Sequence, residues 1–481
     1  MTTRSSLFFS FLDRYASLLI TVGSSMVLAR LLTPAEIGIF SVTMVLLIFA
    51  NTVRDFNSGQ YLVQQKTLTE DHIRAVWALQ LGLGIGLALL ILCAAYPVAW
   101  FYQEPRMRDI MLVVSVNYAV NPFGSLTNAW LVREMRFQAL AIMRFASVLT
   151  GALLSMWLAW RGHGPISLAY GSLCSTIVSA MVAVYFRPQS FPWLPGLQEI
   201  RTVLSFGSKL TGSSFISNMA NYSPELLLGK LQDAAAVGFY SRANGLVQMF
   251  YRLFVDAVLG VCMPWFARRA REDGVVAKPL LKATSYLTVV GWPFCLGLAI
   301  LADPVISLLY GDQWGESVDP TRILAVATAL MVPSTLSRTA LLAAGKVDST
   351  VKVIALNSAQ TVGFVGLGAY LGLSALAWAL LVSASLTAWL WLRETRSHLA
   401  VSYGALASVC WQSAKVSVVA SLGAVAACLV FGLHPVHSLP SILMAIGWGI
   451  PSFVVAVFMF EHPIREELVS LAGRLGFSFK T

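Results

Sequence analysis

An all-α integral membrane protein is the fold class this sequence predicts, and three observations predict it. Hydrophobic residues make up 57% of the chain and charged residues only 12%, and the mean hydropathy is +0.72. A soluble chain of 481 residues has too little polar surface to cover such a surplus. The apolar residues also come in blocks of about 20 or more, the length that crosses the hydrocarbon of a bilayer. Backbone in lipid must satisfy its own hydrogen bonds, so these blocks are read as helices.

About 14 blocks meet this length criterion. They fall near 7–32, 37–53, 75–101, 108–131, 138–160, 165–186, 203–230, 236–266, 279–302, 321–344, 349–371, 373–392, 408–432 and 440–460, with the seventh and eighth the most polar. The first opens like a signal peptide, Met1 to Phe11, until Asp13-Arg14 interrupts it. No small-residue cleavage site precedes its continuation to Leu32, so it is read as a span. Proline or glycine marks turns at Thr33-Pro34, Gly164-Pro165, Asp303-Pro304 and His434-Pro435. The largest loops, near 54–74, 187–202 and 303–320, run to about 20 residues, too few for a separate water-facing domain. The chain is therefore expected not to be an enzyme.

Lys and Arg orient the stack. With the N-terminus in the cytoplasm, the cytoplasmic segments collect Arg54, Lys66, Arg74, Arg133, Arg136, Arg187, Arg201, Arg268, Arg269, Arg271, Lys278, Arg393, Arg396 and Arg465. The opposite side holds chiefly Arg30, Arg106, Arg108, Arg161, Lys230 and Arg322. This bias predicts that both termini are cytoplasmic and that the span count is even. The net charge of +10 does not point to nucleic acid, because no basic run interleaves with aromatics. Arg268-Arg269-Ala270-Arg271 ends a span and reads as a topogenic signal.

Metal and nucleotide sites are not expected. Cys93, Cys174, Cys262, Cys295, Cys410 and Cys428 all fall in apolar blocks without ligand spacing, as small core residues do. His434 and His437 read as solvated turn residues. Gly82-x-Gly84-x-Gly86 lacks a following βα unit and reads as helix packing. No Walker-type loop is present, and no cofactor is expected.

An internal repeat organises the chain. Leu28-Ala29-Arg30-Leu31 and Ile37-Gly38-Ile39-Phe40-Ser41 align without a gap on Leu228-Gly229-Lys230-Leu231 and Val237-Gly238-Phe239-Tyr240-Ser241. Ala95-Tyr96-Pro97-Val98 echoes Ala302-Asp303-Pro304-Val305. Spans one to six thus repeat as seven to twelve. An even number of spans per repeat relates the halves by an axis along the membrane normal. The expected organisation is a six-helix lobe over 1–202, a second over 203–400, and an additional helix pair with a tail over 401–481.

Four segments carry a family resemblance. Leu31-Leu32-Thr33-Pro34-Ala35-Glu36-Ile37-Gly38-Ile39-Phe40 resembles the first hairpin of bacterial polysaccharide exporters of the Wzx type, in the superfamily of multidrug exporters and the lipid II flippase. Arg54-Asp55-Phe56 through Gln64 is similar to the family's D-[LF]-G…[LI]-x-Q segment, with Asn57-Ser58 inserted before the glycine. Val237-Gly238-Phe239-Tyr240-Ser241-Arg242-Ala243 resembles its G-[YF]-Y-S-x-A opening of span eight, and Gly311-Asp312-Gln313-Trp314 its G-x-x-W turn. The resemblance covers roughly residues 5–400. It implies two lobes around a central cavity lined by spans one, two, seven and eight. It also implies flipping of undecaprenyl-pyrophosphate-linked oligosaccharide from the cytoplasmic to the periplasmic leaflet of the bacterial inner membrane, alongside a polysaccharide polymerase and chain-length machinery.

Such a substrate needs cations for its pyrophosphate and a wet cavity for its sugars, while its tail stays among the membrane lipids. Arg14, Lys209, Arg242, Arg252 and Arg338 lie within or close to apolar blocks and are the candidate substrate cations, with Arg14 foremost. Their structural readings are snorkelling for Lys209 and Arg338, neutralisation of Arg252 by Asp256 four residues on, and helix capping for Arg242. Ser17, Thr21 and Ser24 on span one, and Asn218, Asn221 and Tyr222 on span seven, recur at helical spacing as a candidate polar lining. The same spacing serves interhelical packing equally. Asn117, Asn121 and Asn128 give span four a related pattern. Asp13, Glu225 and Asp256 are candidates for coupling to a proton or sodium gradient, each also explicable as a structural ion pair. The rival functions are export of another amphiphile, such as a drug or the peptidoglycan precursor, and a membrane-embedded polymerase or ligase.

Overall fold

A computed structural model describes residues 3–55, 59, 61–62, 68–189, 191–272, 275–431 and 438–474; of residues 3–14, 55, 202, 205–214, 438 and 471–474 only the backbone is described. The chain is helical, with no strand among the described residues. Two compact units, Met1–Gly238 and Phe239–Thr481, divide it at a point inside a helix.

The first unit holds α1 (Thr3–Leu31), α2 (Pro34–Asp55), α3 (Glu70–Tyr102), α4 (Arg106–Val120), α5 (Pro122–Arg133), α6 (Phe137–Trp160), α7 (Ile166–Tyr185), α8 (Ile200–Leu231) and the start of α9 (Ala234–Phe250). Local chemistry sets several of these ends. Thr33 and Glu36 form a reciprocal cap before α2: the Thr33 amide donates to Glu36 Oε2 at 2.9 Å and the Glu36 amide to Thr33 Oγ1 at 3.3 Å. Pro34 occupies the first helical position, where its missing N–H costs nothing. At the repeat position Asp233 Oδ1 accepts from the Ala236 amide at 2.7 Å. Pro122 breaks the fourth span into α4 and α5, bent by 49°.

Within this unit α1 packs on α6, α6 on α7, α3 on α4, and α2 and α3 on α8. Gly84 explains one close approach, since a methyl there would meet Tyr118 O at 2.7 Å and Pro122 Cγ at 2.6 Å. Gly82 and Gly86 face open space, so the packing role of the glycine triplet rests on Gly84 alone. Trp77, Ile73, Leu126 and Phe191 are buried together, and Trp77 Nε1 donates to Trp193 O at 2.9 Å.

The second unit continues α9 through a π-helical turn, Tyr251–Val255, into α10 (Asp256–Glu272). It then holds α11 (Ala277–Ile300), α12 (Ala302–Tyr310), α13 (Val318–Met331), α14 (Ser337–Ala343), α15 (Val347–Leu371), α16 (Leu373–Leu399), α17 (Tyr403–Phe431), α18 (Ser438–Met459) and α19 (Arg465–Arg474). α11 is its centre, packed on α13 and α17, and α12 packs on α18. His462, in the turn before α19, is buried with Nε2 3.0 Å from Ser285 Oγ and 3.1 Å from Ser413 Oγ, joining that turn to α11 and α17.

Among the described residues, eleven helical stretches are long and apolar enough to cross a bilayer, and the bent pair α4–α5 makes up to twelve. The expected 14 further includes α1, whose described apolar run is the shorter Tyr15–Leu31, and α8, too polar for the same measure. Both carry the polar stripes noted in the sequence. The six cysteines are free thiols, and no cluster of metal-binding side chains occurs among the described residues. His434 and His437 lie outside the described residues.

Candidate functional site

In the first unit the polar residues of α8 diverge in environment. Asn218 Nδ2 donates to Thr52 Oγ1 at 2.8 Å, tying α8 to α2. Asn221 is exposed and Tyr222 half-buried. Glu225 is only 7% exposed, and its Oε2 has no hydrogen-bond partner among the described residues. Beside it Pro224 removes the amide that would have bonded the Ala220 carbonyl; Ser223 Oγ donates to that carbonyl at 2.9 Å, so the helix continues unbroken.

On α1 the stripe is turned partly on itself. Thr21 Oγ1 donates to Ser17 O at 2.7 Å and Ser24 Oγ to Thr21 O at 3.1 Å, with Thr21 exposed and Ser17 and Ser24 half-buried. Hydroxyls bonded this way retain acceptor lone pairs for water or ligand. Asp13, Arg14 and Lys209 lie on α1 and α8, and their side chains are outside the described residues.

In the second unit Arg242 stands over two rings, 5.3 Å from the centroid of Tyr310 and 5.5 Å from that of Trp314. Trp314 is fully buried and meets Phe239 edge-on at 5.9 Å. Ser317 Oγ donates to Phe239 O at 3.0 Å, and Gly311 turns the chain at φ +96°, a conformation that side chains resist. The opening of α9 and the G-x-x-W turn, over 70 residues apart, thus form one clasp. Arg242 lies inside it, where a cation gains from both ring faces. Arg252 and Asp256 are both exposed at the π-helical turn, and Arg338 is exposed on α14.

Sequence reasoning singled out Asn121 and Asn128 but not the serines opposite. Ser175 and Ser179 of α7 share a cavity of about 660 Å³ with them, lined wholly by the first unit. The sequence signal for that partnership is the four-residue spacing of the two serines, which puts them on one face of a helix that also carries Ser167, Ser172 and Thr176.

A model of the family described as polysaccharide biosynthesis protein matches residues 27–319, more than half of the chain. The chain belongs to this family. Among curated relatives, it is 25% identical to the succinoglycan biosynthesis transport protein ExoT of Rhizobium meliloti (strain 1021), over 64% of this chain and 62% of that one. It is 22% identical to the lipopolysaccharide biosynthesis protein WzxC of Escherichia coli (strain K12), over 68% of this chain and 67% of that one. The chain matches less than two thirds of the length of ExoT and of the teichuronic acid biosynthesis protein TuaB of Bacillus subtilis (strain 168). Among solved structures, the inward closed lipid II flippase MurJ superposes with a TM-score of 0.77 at 12% identity, covering 97% of this chain and 100% of MurJ. An inward-facing multidrug MATE transporter superposes at 0.56 with 14% identity, covering 83% and 95%. At such identities the likeness is one of fold, and it places this polysaccharide-biosynthesis family member in an all-helical, multi-pass membrane architecture.

Proposed function

We propose that this protein is a flippase carrying undecaprenyl-pyrophosphate-linked oligosaccharide from the cytoplasmic to the periplasmic leaflet of the bacterial inner membrane. The match to the polysaccharide biosynthesis family over residues 27–319 carries the reading. A relative named as a succinoglycan transport protein and a fold shared end to end with a lipid II flippase support it. The Lys and Arg bias supports cytoplasmic termini, and the sequence repeat supports lobes over 1–202 and 203–400. Translocation is by alternating access between the lobes, with Arg14 foremost among the cations on the pyrophosphate route and the polar residues of α1 and α8 facing the sugars. Membrane lipids hold the polyprenyl tail, and the product passes to a polymerase and its chain-length machinery.

Glu225 is the coupling carboxylate in this reading. Burying a charge without a partner is costly, and uptake of a proton or sodium ion offsets that cost. Its orphaned Oε2 favours it over Asp256, which is exposed. Arg242, enclosed by Tyr310 and Trp314, serves the clasp before it serves substrate. Export of a cationic drug is disfavoured, because a cationic path repels it. The deciding experiment is leaflet-resolved translocation of a defined pyrophosphate-linked oligosaccharide by purified protein in liposomes. Movement of the lipid-linked sugar supports the reading; movement of drugs alone, or sugar polymerisation without flipping, overturns it.

A further inference from the structure

The geometry points to a sugar-binding pocket inside the first unit, formed by Asn121, Asn128, Ser175 and Ser179 with Arg54 among its lining residues. Its volume, about 660 Å³, falls within the range of small-molecule sites. The side-chain amides of Asn121 and Asn128 and the hydroxyls of Ser175 and Ser179 make no hydrogen bond among the described residues. Uncommitted amides and hydroxyls inside a membrane helix bundle are costly unless water or a ligand meets them. The helix that carries the two asparagines is broken at Pro122 with a 49° bend, a distortion that membrane proteins keep where the backbone borders a cavity.

The lining chemistry selects a class of ligand. Amide and hydroxyl side chains both donate and accept, as the vicinal hydroxyls of a sugar ring require. Ala129, Val132 and Met143 supply an apolar wall for the ring's C–H face. None of the described lining residues is acidic, and the single charge is Arg54, whose guanidinium lies 5.6 Å from the Tyr118 ring centroid. The pocket therefore takes a neutral sugar ring with an anionic group directed to Arg54. A uronate carboxylate on the glycan and the phosphate of the lipid link share that chemistry. The inference rests on the flippase reading for its biological meaning, but sugar binding is measurable without translocation.

The test is binding of three soluble probes to the purified full chain in detergent: a neutral hexose trisaccharide, the same trisaccharide ending in a uronic acid, and a hexose 1-diphosphate. Wild type should bind at least one of the two anionic probes more tightly than the neutral one. Asn128→Leu and the milder Ser179→Val should each weaken that binding about tenfold, roughly one or two lost hydrogen bonds. Arg54→Gln should weaken only the anionic probes, and whichever probe it affects more identifies the source of the anion. Two variants guard against misfolding, since retained melting temperature in either keeps the comparison valid. Failure of wild type to bind any probe, or equal binding by folded variants, overturns the pocket. Liposome flipping that fails while sugar binding persists counts against the flippase reading alone.

Discussion

Gly38 and Gly238, which occupy equivalent positions in the sequence repeat, each lie against the helix start that the other follows. A methyl group on Gly38 would sit 1.6 Å from the Ala234 carbonyl oxygen and 2.9 Å from the Gly238 amide, and one on Gly238 would sit 2.0 Å from the Pro34 carbonyl oxygen. The nearest atoms are backbone, so no side-chain rotation relieves the clash. Gly38→Ala and Gly238→Ala should each destabilise by about 1–3 kcal/mol, as overpacking does. A melting temperature in detergent equal to wild type would show that the approach is not needed.

Trp314 should matter more to stability than any exposed charge. Trp314→Ala empties a fully buried site beneath Arg242 and Phe239, and such truncations cost about 3–5 kcal/mol. Arg252→Ala removes an exposed side chain and should change the melting temperature little. The reverse order of effects would contradict the clasp.

His462 makes the second unit acid-sensitive. It lies outside the spans, in the turn after α18, and its Nδ1 accepts from the Ile464 amide at 3.2 Å, which leaves the ring proton on Nε2 facing Ser285 and Ser413. Burial pushes its pKa down from 6.5 to about 4. Above pH 6.5 the ring is neutral folded or unfolded; as pH falls from 6.5 towards 4 the unfolded chain takes a proton that the folded one refuses, and stability is lost across that window. Thermal melts should therefore fall more steeply with acid in wild type than in His462→Gln. Identical slopes would remove His462 as the cause.

Glu225→Gln should leave the fold intact while uncoupling transport. The amide keeps the shape of the buried group and removes its charge, so flipping in liposomes should become insensitive to an imposed proton or sodium gradient. A variant still accelerated by the same gradient as wild type would move coupling to another residue.

Lys230 offers a contrast among the basic residues. Its Nζ donates to Phe101 O at 2.6 Å and lies 4.1 Å from the Phe101 ring centroid, linking α8 to α3. Lys230→Met should lower the melting temperature with a cost of about 1–2 kcal/mol and leave the affinity for the soluble sugar probes unchanged. Loss of sugar affinity would place Lys230 in a binding role.

The sequence by itself determined the fold class. The length of each apolar run decides whether a helix can span lipid, and backbone hydrogen bonding leaves no alternative to helix there. Caps at Thr33 and Asp233 and the break at Pro122 are equally local, because each depends on a few neighbouring residues. Only the tertiary structure decided which face of each helix is covered. Helical spacing put Glu225 and Asp256 on equal footing, yet packing buries the first and exposes the second. Spacing likewise could not bring Arg242 to Trp314, or set Asn128 and Ser179 on one cavity, since those arrangements arise between segments distant in sequence. Periodicity defines a stripe, and the neighbour that meets it comes from the fold.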